Sequence, residues 1–104
     1  MARPQPESDL LDVLAALDDP SEISKLLMDL LTYNEVESVN ERWAIVKLLA
    51  AGHSQRAIRD ELGASVTTIS RGNKQIKYGE DGFAIAFETL GRLGHGDPRL
   101  GGEK

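Results

Sequence analysis

The sequence predicts an all-α fold of about six helices, and three observations carry that expectation. Apolar residues recur three and four positions apart from Leu10 to Leu90, the spacing of one helix face. No stretch alternates apolar and polar residues with the period of two that a half-buried strand needs. Ser, Thr and Asp precede the apolar runs and glycines follow several of them, as helix starts and stops require.

Taken in order, residues 1–7 are polar, contain prolines and read as a disordered arm, not a signal peptide. Leu10, Leu11, Leu14 and Leu17 make the stripe of a first helix, with Ser8 and Asp9 placed to cap it. Asp18-Asp19-Pro20-Ser21 breaks that helix, and Pro20 or Ser21 opens the second, whose stripe is Ile23, Leu26, Leu27, Leu30 and Leu31. Thr32 and Glu35 have the spacing of a capping box at the head of a third helix. The second half of that helix, Trp43 to Ala51, is apolar nearly all round and is predicted to be central. Gly52 stops it. Ser54 caps a fourth helix that Gly63 ends, with Ile58 and Leu62 expected inward. Ser65 caps a fifth, with Val66, Ile69 and Ile76 as its inner face, and residues 78–82 form a turn. A last helix runs from Phe83 to about Leu93 and presents Phe83, Phe87 and Leu90. The organisation is therefore an arm over 1–7, a helical domain over 8–93, and a glycine-rich tail over 94–104 expected to be disordered.

The 104 residues make one domain with a modest core, a size at which subunit association is a natural supplement. The absence of cysteine excludes disulfides and thiolate metal sites. No apolar run is long enough for a membrane span, so a cytoplasmic protein is expected. His53 falls in a short loop and His95 in the tail, neither with a metal-ligand partner at helical spacing. Nothing nominates a catalytic constellation or a metal, and no enzyme is expected.

Charge is unevenly placed. Residues 1–41 hold ten acidic side chains against Arg3 and Lys25, a net of −8; residues 42–104 hold ten basic against seven acidic, a net of +3. Between Leu62 and Gly79 stand Arg71, Lys74 and Lys77 with no carboxylate, in a chain of net charge −5. That local reversal of sign suits phosphates.

Residues 54–77 have the spacing of a helix-turn-helix, in which a first helix crosses the DNA backbone and a second enters the major groove N-terminus first. Val66, Thr67, Thr68 and Ser70 are small enough for close approach to base edges, and a threonine offers both a hydroxyl and a methyl for thymine. Gln55, Arg56 and Arg59 on the first helix point donors where phosphates lie. Lys74 and Lys77, with Arg71, continue that track. The plainer alternative is two helices of an all-α core with charged outer faces.

The segment Thr32 to Lys77 resembles the Trp repressor family, most specifically in Asp60-Glu61-Leu62-Gly63-Ala64 and Thr68-Ile69-Ser70-Arg71-Gly72. The resemblance implies an intertwined homodimer that reads a double-stranded operator as a repressor. It implies L-tryptophan, or a similar small aromatic molecule, as corepressor. Arg42 and Arg71 would then flank the indole, Arg71 pairing with the ligand carboxylate with help from Thr32. Gly72 would leave room for the ring, carbonyls near Leu30 and Leu31 would take the ammonium, and Gln75 lies where the amino end would sit. The chain departs from the tryptophan-responsive pattern in a shorter Gly52-His53-Ser54 connection and in Asn73-Lys74-Gln75. Its Tyr78-to-Phe83 stretch is similar to a related branch of the family. Two further readings stand beside this one: a ligand-independent DNA-binding regulator, and a helical protein-interaction adaptor.

Overall fold

Among the described residues, 4–100, the computed structural model contains six helices and no strand: α1 (Ser8–Ala16), α2 (Pro20–Leu30), α3 (Tyr33–Ala50), α4 (Gln55–Leu62), α5 (Val66–Tyr78) and α6 (Gly82–Arg92). The chain divides into two compact units, one through Val36 and one from Glu37 onward.

In the first unit the helix ends follow local chemistry. Asp19 accepts from the Ser21 N–H at 2.9 Å, and Pro20 occupies a first-turn position where an N–H would lack a partner anyway. Thr32 and Glu35 close the expected capping box: the Thr32 hydroxyl accepts from the Glu35 N–H at 3.1 Å and the Glu35 carboxylate accepts from the Thr32 N–H at 2.8 Å. The α1 start differs from expectation. Ser8 is already helical, the cap position falls on Glu7, and no side chain caps it. Asp9 acts instead as a first-turn acid beside the positive end of the helix dipole. Neither α1 nor α2 buries a single residue, despite their leucine stripes.

The second unit has a core of Ile45, Ile58, Ala64 and Ile69, with Leu48 and Leu49 packed against it. Val46 and Phe87 are also buried, and full burial of side chains this size contributes about 1.5–3 kcal/mol each. Trp43, Phe83 and Phe87 form a row of stacked rings with centroids 6.0–6.5 Å apart, which ties α6 to α3. Two inward expectations fail. Leu62 is 37% and Val66 52% exposed, because helical periodicity defines a stripe without saying which neighbour covers its ends.

The tail also departs from expectation over residues 94–100. Gly94 and Gly96 take positive φ (+88° and +90°) and turn the chain back along α6. Asp97 is buried and accepts from Arg99 Nε at 3.0 Å and Nη2 at 2.6 Å, while the guanidinium lies 6.0 Å over the Phe87 ring. An acid and an arginine two residues apart across Pro98 close this turn locally, which glycine content alone does not reveal. Residues 101–104 and 1–3 lie outside the described residues; residues 4–7 have no regular secondary structure.

Candidate nucleic-acid interface

Both helices of the 54–77 segment begin on a serine cap. The Ser54 hydroxyl accepts from the Ala57 N–H at 3.0 Å and the Ser65 hydroxyl from the Thr68 N–H at 3.1 Å. Between them Gly63, at φ +72°, ends α4 in the left-handed region, where a side chain is costly. Ala64 is buried against the core, and Ile58 and Ile69 lock the two helices together from the inside. A rigid turn thus sets the angle between α4 and α5.

The start of α5 sorts its candidate base readers. Val66 and Thr67 are exposed. Thr68 is half-buried, and its hydroxyl lies 2.9 Å from that of Ser65, so part of its hydrogen-bonding capacity is spent on the cap. Ser70 is half-buried too and donates to the side-chain oxygen of Gln55 at 3.2 Å. Of the candidate phosphate contacts, Arg56, Lys74 and Lys77 are exposed. Arg59 is exposed but pairs with Asp60 at 3.2 Å; a surface pair of this kind is worth about 0–1 kcal/mol, too little to hold the guanidinium from a phosphate.

Of the residues nominated for a corepressor, Arg42, Arg71 and Gln75 are exposed, and Thr32, in the first unit, is engaged in its capping box. Gly72 packs on α3: a Cβ there would sit 3.2 Å from Ile45 Cγ2 and 3.5 Å from Val46 Cγ1. The room this glycine leaves is therefore filled by core side chains in this structure. A groove of about 590 Å³ does open in the second unit, floored by Leu48, Leu62 and Leu90 and walled by the 95–98 turn. None of Arg42, Arg71, Gly72 and Gln75 lines it. Sequence reasoning missed both the Asp97–Arg99 clasp and the Ser70–Gln55 bond. The second pair lies fifteen residues apart and depends on how two helices cross, which no spacing rule exposes.

Within the clasp the two charged groups perturb one another. Hydrogen bonding from the Arg99 guanidinium holds the Asp97 carboxyl below the usual carboxylate range against an opposing desolvation, and Asp97 in turn raises Arg99. Among the described residues no group of His, Asp and Glu could hold a metal ion, and no helix is long and apolar enough to cross a membrane.

Comparison with known proteins gives a consistent picture. A family profile described as Trp repressor protein matches residues 7–91. The chain is 33% identical over 81 residues to YerC, an uncharacterized protein of Bacillus subtilis, covering 78% of each. It is 34% identical over 78 residues to a Trp operon repressor homolog of Xylella fastidiosa, covering 74% of this chain and 85% of that one. Among solved structures it is similar to a TrpR-like protein from Eubacterium eligens, with a TM-score of 0.73 at 35% identity over 80% of this chain and 86% of the other.

Proposed function

The chain belongs to the Trp repressor family of DNA-binding regulators, and from that premise we propose that it is a homodimeric transcriptional repressor of the cytoplasm that reads an operator through α5. The observation that carries this reading is the face of α5. A capped helix start presents exposed Val66 and Thr67, followed by Lys74 and Lys77, with no carboxylate from Leu62 to Gly79. Small side chains allow the helix end into the major groove while the cations run along phosphates. Arg56 and Arg59 on α4 extend the phosphate contacts. The acidic first forty residues keep DNA from docking elsewhere on the molecule.

In the gated form of this reading, L-tryptophan or a similar small aromatic molecule binds between Arg42 and Arg71. It acts by its differential affinity for the arrangement that places two α5 helices in successive grooves. A second reading, DNA binding without a ligand switch, draws support from Gly72, whose open side is already occupied by Ile45 and Val46. One experiment addresses both: selection of bound duplexes from a random pool, with and without L-tryptophan. Half-sites about one helical turn apart, recovered only with ligand, are the gated outcome. The same half-sites in both arms give the ungated one. Failure to retain any duplex at low salt would sink DNA binding and favour the adaptor reading.

A further inference from the structure

We infer that Ser70 is a positioning residue: its hydroxyl fixes the side-chain amide of Gln55, so that α4 and α5 present their DNA contacts as one unit. The inference rests on the DNA-binding reading above. The sequence assigns both residues to DNA directly, Ser70 to bases and Gln55 to phosphate. The structure joins them to each other. Ser70 Oγ donates to Gln55 Oε1 at 3.2 Å, whereas the other side-chain hydrogen bonds found among the described residues stay within four positions in sequence. This bond links two helices.

Its placement gives it a purpose. Gln55 is the first residue of α4, directly after the Ser54 cap, and its side chain is half-buried. Ser70 follows fully buried Ile69 and lies three residues after exposed Thr67, so it occupies the flank of α5 between the core and the reading face. An amide has one acceptor oxygen and two N–H donors. With Oε1 taken by Ser70, the donors of Nε2 are left uncommitted by that contact, and a phosphate oxygen can only accept. A glutamine free to rotate would offer oxygen and nitrogen to the DNA alike. In the observed pose the serine engages the acceptor oxygen and leaves the donor end to the DNA. It also leaves base reading at this helix start chiefly to Val66 and Thr67.

A double-mutant cycle tests this, using a duplex recovered from the random-pool selection. The variants are S70A, Q55A, S70A/Q55A and S70T, each checked by thermal melting. S70A and Q55A are each expected to weaken binding roughly 3- to 10-fold, the worth of one neutral hydrogen bond. The double variant is expected to bind no more weakly than Q55A alone, and S70T, which keeps the hydroxyl, should restore most of the affinity. Neither residue is charged, so the salt dependence of binding should not change. Base preference should be unaltered in S70A. Additive losses, or a changed base preference in S70A, would overturn the positioning role while leaving DNA binding intact. If the unaltered protein retains no duplex, the DNA-binding reading fails first and this inference with it.

Discussion

Gly72 carries a direct test at the scale of single residues, because a Cβ there would meet Ile45 Cγ2 at 3.2 Å. Ile45 is buried and β-branched, so its methyl has little freedom to withdraw. Set against the roughly 1 kcal/mol that alanine gains over glycine inside a helix, Gly72→Ala is therefore expected to lower stability by about 0.5–2 kcal/mol net in thermal melts without any ligand. A variant as stable as the parent would show that this glycine is not needed for packing and would return it to the ligand reading. On the outer side of α5 the expected effects separate by charge. Lys74→Ala and Lys77→Ala should each flatten the dependence of log affinity on log salt by about one unit. Thr67→Ala should leave that slope alone and change which bases are preferred. Unchanged slopes for both lysine variants would remove them from the phosphate track. Exposed positions of this kind were legible in the sequence wherever exposure follows from helical phase. The contacts of Gly72 and Ser70 were not, because their partners come from other helices.

At the scale of elements, what the sequence revealed best is what closes over three or four residues. The Thr32–Glu35 box and the caps at Ser54 and Ser65 form as spacing predicts, since donor and acceptor belong to the same turn. The 94–100 turn shows the limit of composition. Its glycines suggested disorder, yet Asp97 and Arg99 close it onto the end of α6. This clasp carries a prediction about pH. The folded-state pKa of Asp97 is depressed, so its contribution is fully present above the unfolded carboxylate value of about 3.9 and is lost as pH falls through the lower folded value. Asp97→Asn should consequently melt below the parent near neutrality, and the two melting temperatures should converge as the pH is lowered below that range. A gap that persists unchanged into strong acid would mean that the carboxylate's charge is not what holds the turn. Amide exchange over residues 94–100 would locate the effect.

The whole molecule is less balanced than its separate elements. The second unit has a continuous core, but α1 and α2 bury no residue, and Leu11, Leu27 and Leu30 of their stripes are substantially exposed. Stripes of that regularity are apolar at helical spacing, and leaving them in water forfeits about 25 cal/mol for each Å² that a partner could cover. Here the sequence foretold the stripes correctly but could not say what covers them, because the covering surface is on no part of the chain that spacing can address. In the proposed homodimer a second copy of the chain would supply that surface and would also place two α5 helices on one duplex, the arrangement a two-fold operator requires. Sedimentation should thus give a species of twice 11.3 kDa, and its melting temperature should rise with protein concentration. Leu30→Asp, on the exposed stripe of α2 (54% exposed), should shift the protein toward the single chain and weaken operator binding, although Leu30 lies on a helix distinct from the reading pair. A single chain of 11.3 kDa with concentration-independent melting would instead leave the stripes for a different partner, and the operator would then be read one half-site at a time.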